Sequence, residues 1–136
     1  MKLLLDTHVL LWAAGDPDRL SLEVKDFMRR AENTLFFSAV NLWEITIKQG
    51  LGRKDFKVNV RALHQGLLDN DYQELPIRTQ HAIAIDSLPA IHKDPFDRLL
   101  IAQAIIEEMT LLTADSLIAK YPGPIQTIYP TISINI

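Results

Sequence analysis

The sequence contains no cysteine among its 136 residues. That absence excludes a disulfide framework, a thiolate nucleophile, iron–sulfur ligation and a cysteine zinc cage, so any metal must be held by oxygen or imidazole. No apolar run approaches the roughly 20 residues of a membrane span. The opening Met1-Lys2-Leu3-Leu4-Leu5-Asp6 is too short and turns acidic too soon for a signal peptide. A cytoplasmic protein with no membrane partner is therefore expected. An excess of positive charge is also missing: 17 acids face 14 bases, for a net charge of −3. This weighs slightly against a protein that coats nucleic acid by bulk charge, and leaves open an enzyme that engages phosphates locally. There is no internal repeat, linker or low-complexity stretch. What is present, 48% hydrophobic and 23% charged residues, is ordinary for a globular chain and excludes disordered and collagen-like classes. The length points to one compact domain over residues 1–136.

Short apolar runs alternate with segments of helical period. Strands are predicted at Leu3–Leu5, Leu35–Phe37, Tyr72–Leu75, Leu111–Thr113 and Ile125–Ile128. Helices are predicted from Thr7 to Ala14, from Ser21 as cap to about Ala31, from Ser38 to about Gln49, from Val58 to Leu68 and from Thr79 to Ile85. Asp94-Pro95 opens a strong helix to Glu108, since Asp suits the cap and Pro the first helical position. A short helix is expected at Ser116–Lys120. Connections this short favour an α/β domain with a parallel sheet covered by helices on both faces. In the tail, Ile132, Ile134 and Ile136 alternate with polar residues, which suggests an edge strand or a partner-binding segment.

In open α/β sheets ligands bind beyond the carboxyl ends of the strands. Asp6 and Asp115 lie there, each also readable as the cap of a following helix. Glu44 falls on the same helix face as Val40 and Ile47, the face expected to be buried, although a surface pair with Lys48 is the plainer reading. Asp97 lies in line with Leu100, Ile101 and Ala104, in a segment apolar on nearly all sides, where an acid in the first turn also favours the helix dipole. Asp94 is assigned mostly to structure. Should the four acids Asp6, Glu44, Asp97 and Asp115 converge, they need protons or cations to coexist. Hard oxygen ligands select Mg²⁺ or Mn²⁺, and such sites support metal-assisted phosphodiester hydrolysis.

Three segments, Leu5-Asp6-Thr7-His8-Val9-Leu10-Leu11-Trp12, Ser38-Ala39-Val40-Asn41-Leu42-Trp43-Glu44-Ile45 and His92-Lys93-Asp94-Pro95-Phe96-Asp97-Arg98-Leu99-Leu100-Ile101-Ala102-Gln103-Ala104, resemble in order and spacing the PIN-domain ribonucleases. The likeness is greatest to VapC-type toxins of type II toxin–antitoxin systems. Leu112-Thr113-Ala114-Asp115 matches the fourth segment of that family. The resemblance implies a three-layer α/β/α domain with a central parallel sheet of about four to five strands. It implies Asp6, Glu44 and Asp97 as metal-site acids, Asp115 as a fourth, and Thr113 as a supporting hydroxyl. It further implies a Mg²⁺- or Mn²⁺-dependent endoribonuclease, an RNA substrate, a cognate VapB-type antitoxin and a homodimer.

Residues 48–61 carry five bases, Lys48, Arg53, Lys54, Lys57 and Arg61, against Asp55 alone. Lys48, Arg53 and Lys54, with His92 and Arg98 beside the motif acids, are candidate substrate contacts, against the plainer reading of solvated charge and ordinary polar packing. The four histidines show no metal-ligand spacing. Trp12 and Trp43, at helical spacing among apolar neighbours, are assigned to the core. Ser38 and Ser116 read as cap or strand-end residues. Competing functions are a receiver-like phospho-acceptor or binding module with the same sheet architecture, a phosphatase with Asp6 as covalent nucleophile, and a solitary PIN nuclease without antitoxin. A receiver needs an acidic pair near the first strand end, and the phosphatase a second acid two residues on, where His8 stands.

Overall fold

The computed structural model describes residues 1–54 and 56–128. The elements run β1 (Lys2–Leu5), α1 (Thr7–Gly15), α2 (Leu22–Met28), β2 (Thr34–Ser38), α3 (Ala39–Gly50), α4 (Val60–Asp69), β3 (Gln73–Leu75), α5 (Thr79–Ala84), α6 (Pro95–Glu107), β4 (Thr110–Thr113) and β5 (Ile125–Thr127). Among the described residues all four strand pairings are parallel. The strand order is β3-β2-β1-β4-β5. This is the expected three-layer α/β/α architecture.

The sheet divides two apolar clusters because successive strand residues point to opposite faces. Leu3, Leu5 and Leu112 pack with Val9, Leu10, Val24, Phe27 and Leu67, from α1, α2 and α4. Leu4 and Leu111 pack on the other side with Leu99, Leu100, Ile101 and Ala104 of α6. The three leucines of β1 are wholly buried, which is why that strand reads as a continuous apolar run. The chain steps outward from β1 to β2 to β3 along one face, then returns along the other to place β4 on the free side of β1. The order therefore reverses at β1, between β2 and β4, and a crevice opens at the carboxyl ends of β1 and β4. Receiver domains have the order 2-1-3-4-5, so the expectation of shared sheet architecture with a receiver is corrected.

Several boundaries differ from the sequence-based ones. Helix α2 stops at Met28 rather than Ala31 because the Asn33 side chain donates to the Phe27 carbonyl at 2.8 Å, closing its last turn. Helix α4 begins at Val60 rather than Val58: Asn59 is its cap, accepting from the Ala62 N–H, while the Val58 N–H donates to Gln49 Oε1. The expected helix at Ser116–Lys120 is a single 3₁₀ turn at Ile118–Lys120. The alternating isoleucines Ile132, Ile134 and Ile136 lie outside the described residues.

Candidate active site

Asp6 directly follows β1, and its N–H donates to the Leu112 carbonyl at 3.0 Å, tying the strand end to β4. Its Oδ1 accepts from the Val9 N–H at 2.9 Å, so it does cap α1. A cap uses one oxygen, and the other accepts the hydroxyl of Thr113, a wholly buried residue at the end of β4. The Thr113 hydroxyl oxygen in turn accepts the Asp115 N–H at 3.0 Å. Asp115 accepts from the Leu117 N–H at 2.8 Å, which fixes its own carboxylate at the crevice edge. Burial pushes the Asp6 carboxyl above the usual range, the Thr113 hydroxyl, Val9 N–H and His8 oppose that shift, and the charge of Glu44 adds to it.

Glu44 is aimed by the first turn of α3. The Asn41 Oδ1 accepts the Ser38 N–H at 2.7 Å, completing the helix cap, and its Nδ2 donates to the Leu5 carbonyl and to Thr7 Oγ1. Thr7 then donates to Glu44 Oε1 at 2.6 Å. The other oxygen, Oε2, accepts from Lys48 Nζ at 2.6 Å, and the same ammonium donates to Asp94 Oδ2 at 2.9 Å. The pair one helical turn apart therefore exists as expected from its spacing, but it is buried: the side chains are only 2% and 15% exposed. Burial works against the Lys48 ammonium, yet its hydrogen bonds to Glu44 and Asp94 outweigh that and raise its pKa.

Asp94 caps α6 through Oδ1, which accepts the N–H groups of Phe96 and Asp97. Burial raises its pKa, but the hydrogen bonds from Lys48 and the helix N–H groups outweigh this, so the net shift is downward. Asp97, in the first turn of α6, has no such compensation. Burial first, then the charges of Asp94, Glu44, Asp6 and Asp115, push its carboxyl up to about 8.

His92 stands over Asp97 and Asp115, its Nε2 2.8 Å from Asp97 Oδ2 and 3.4 Å from Asp115 Oδ2. Both approaches are too oblique for a hydrogen bond, so among the described residues this buried nitrogen has no aligned partner. The ligand atoms of His92, Asp97 and Asp115 lie within 4.8 Å of one another, close enough to share a cation. The Asp94 N–H donates to His92 Nδ1 at 3.3 Å. That bond places the proton of the neutral ring on Nε2, which makes the imidazole a donor toward the cleft and leaves the cation to the carboxylates.

These groups line one cleft of about 380 Å³, which brings Asp6, Glu44, Asp97 and Asp115 together with Lys48, Arg53 and His92. Thr113 stands behind Asp6. Lys54 is exposed and outside the cleft lining. Arg98, expected as a substrate contact, is corrected: its guanidinium donates to the carbonyls of Ile85, Pro89 and His92 and to the Tyr121 hydroxyl, so it braces the loop that carries His92. The core assignment of Trp43 is corrected as well. The side chain is 48% exposed and stacks edge-on against Phe96 at 4.8 Å, because the Trp43 position faces out beside the start of α6. Trp12 is partly buried and forms one wall of the cleft. His8, beside a motif acid and readable from the sequence as a substrate contact or as ordinary polar packing, lines the cleft, as does Asp94, assigned mostly to structure; the motif spacing gives no sign of Thr7 and Asn41 as parts of this site. Asn41 and Thr7 carry no chemistry that spacing alone reveals; only their positions beside motif acids hinted at them. A second groove of about 430 Å³ between α1, α2 and α4 has no acid in its lining.

The donor set suits a hard divalent cation. It is built of carboxylate oxygens, and the mutual repulsion that drives Asp97 upward is relieved by a positive ion among them.

A PIN domain family model matches residues 3–124. Over 122 residues the chain is 28% identical to Ribonuclease VapC22 of Mycobacterium tuberculosis, an alignment covering 89% of this chain and 92% of that protein. Its fold is similar to VapBC2 of Rickettsia felis, solved bound to a DNA fragment from the promoter, with a TM-score of 0.72 at 14% identity over 95% of this chain and all of that one. It is also similar to DNA-bound VapBC of Salmonella typhimurium, with a TM-score of 0.66 at 16% identity over 93% of this chain and 98% of that one. With a match of this extent, which takes in Asp6, Glu44, Asp97 and Asp115, the chain belongs to the PIN domain family.

Proposed function

We propose that the protein is a divalent-metal-dependent endoribonuclease, the toxin of a type II toxin–antitoxin pair, and that it hydrolyses RNA phosphodiester bonds in this cleft. The observation that carries the reading is the meeting of four carboxylates from β1, α3, α6 and the end of β4 at the point where the strand order reverses. Asp6, Asp97 and Asp115, with Glu44 beside them, would hold Mg²⁺ or Mn²⁺. Such an ion, when bound, neutralises the scissile phosphate and activates water for in-line attack. The chain supplies the rest. Thr113 and Thr7 hold the Asp6 and Glu44 carboxylates in fixed orientations, so little reorganisation is left for the reaction itself. His92 holds its Nε2 beside the Asp97 and Asp115 carboxylates, and Arg53 adds positive charge to the wall. Restraint by a VapB-type antitoxin is supported by the likeness to proteins solved as VapBC complexes.

The test is cleavage of single-stranded RNA by the purified protein with and without Mn²⁺. Asp97→Asn, which keeps size and removes charge, is expected to keep the fold and lower the rate by about a thousandfold, the loss of about 4 kcal/mol of transition-state stabilisation. Unimpaired cleavage by that variant would overturn the site assignment. Co-expression with the product of an adjacent small reading frame, followed by co-purification, tests the antitoxin.

A further inference from the structure

The acids of the cleft are not equivalent. At one end Asp97 and Asp115 gather around His92, and no Lys or Arg hydrogen bond to either carboxylate is seen among the described residues. At the other end Glu44 and Asp94 share the ammonium of Lys48. Both oxygens of Glu44 are occupied, Oε1 by the Thr7 hydroxyl and Oε2 by Lys48. Both oxygens of Asp94 are occupied too, Oδ1 by the N–H groups of α6 and Oδ2 by Lys48. The ammonium thus lies directly between the two carboxylates, at 2.6 Å from Glu44 Oε2 and 2.9 Å from Asp94 Oδ2, in the place that an ion shared by them would take. The ammonium is also confined by aromatic faces, with Nζ 5.4 Å from the Phe56 ring centre and 5.7 Å from that of Phe96.

Two-ion hydrolases place their cations roughly 3.5–4 Å apart, each bridged by carboxylates. Here a positive group of the chain, Lys48 Nζ, already bridges two of the carboxylates of the cleft. We propose that Lys48 is a built-in cation that stands in place of a second divalent ion, so that the cleft binds a single Mg²⁺ or Mn²⁺ at its Asp6–Asp97–Asp115 end. The inference rests on the nuclease reading and deepens it by fixing the number of ions. It gives Lys48 a role other than substrate contact: its ammonium balances Glu44 and Asp94 permanently and cannot be removed by a chelator.

The experiment is Mn²⁺ titration of the full chain, read by calorimetry and by electron paramagnetic resonance of free Mn²⁺, with RNA cleavage followed in parallel. The wild type and Lys48→Arg are expected to bind one Mn²⁺ per chain. Lys48→Met, which keeps the stem and removes the charge, is expected to bind two. Circular dichroism establishes that each variant is folded, and Lys48→Gln replaces Lys48→Met should the latter fail to fold. Two Mn²⁺ per wild-type chain would overturn the inference, and so would a single Mn²⁺ in a folded, charge-free variant. A wild type that binds one ion and cleaves no RNA counts against the nuclease reading. A wild type that cleaves RNA with two ions counts against the lysine alone.

Discussion

Arg98 follows a motif acid directly, and its charge faces away from the chemistry. Its guanidinium reaches three carbonyls and a tyrosine hydroxyl, a fork that a lysine ammonium cannot reproduce. Hydrogen bonds from a charged group are worth about 1.5–3 kcal/mol where a buried acceptor would otherwise go unpaired. Arg98→Ala is therefore expected to lower unfolding stability by about 2 kcal/mol in urea titration, with Arg98→Lys recovering less than half of the loss. Sequence alone could not separate Arg98 from Lys48, since both are cations near motif acids. What separates them is the surroundings, carbonyl oxygens around one and carboxylates around the other. For the acids the sequence was more legible, because a carboxylate on an apolar helix face has few structural uses. Glu44 and Asp97 were singled out for that reason, and the cleft they share with Asp6 and Asp115 matches the motif spacing. Trp43 was misread because a tryptophan at helical spacing looks the same in the core as on the rim.

At the scale of elements, the five strands and most helices were readable from apolar runs and caps, and the losses came at the ends. Met28 and Val60 are set as termini by side chains, Asn33 and Asn59, that satisfy backbone groups locally. Such bonds compete with helix continuation on a margin of about 1 kcal/mol, too fine for periodicity to resolve. The cap at Asn59 offers a clean check. Its Oδ1 accepts the Ala62 N–H at 3.1 Å at an exposed site, and the residue is not part of the acidic cleft. Asn59→Ala is expected to cost about 1 kcal/mol in thermal unfolding, Asn59→Gly a few tenths, with RNA cleavage unchanged in both. The single turn at Ile118–Lys120 arises in the same way, with Asp115 turning its carboxylate onto the Leu117 N–H instead of starting an α-helix.

For the molecule as a whole, the net charge of −3 is a statement about location. Removing the four proposed site acids from the count of 17 leaves 13 against 14 bases, so the acidity is held largely in one cleft. That concentration makes the metal-free fold sensitive to pH. Asp97 has a folded pKa of about 8 against 3.8 for the free side chain, so the folded state holds its proton over a window in which the unfolded state has lost it. The resulting stability is fully present below 3.8 and is lost as pH rises through 8. Asp94 shifts the other way, so its contribution is present above 3.8 and is lost only at lower pH. Metal-free protein is thus expected to melt at progressively lower temperature between pH 4 and pH 8. Added Mn²⁺ should reverse the loss at the alkaline end, where the carboxylates are ionised. A melting temperature flat across that range would show that Asp97 ionises normally.

The pairing of β1 with β4 has a consequence for synthesis. Asp6 and Thr113 are 107 positions apart in the chain, and the cleft closes only when β4 is laid beside β1. A growing chain that has emerged only as far as α6 carries Asp6, Glu44 and Asp97 with neither the hydroxyl of Thr113 nor the carboxylate of Asp115. On a ribosome making this protein, the cleft therefore takes its full form only once the segment through Asp115 has left the exit tunnel.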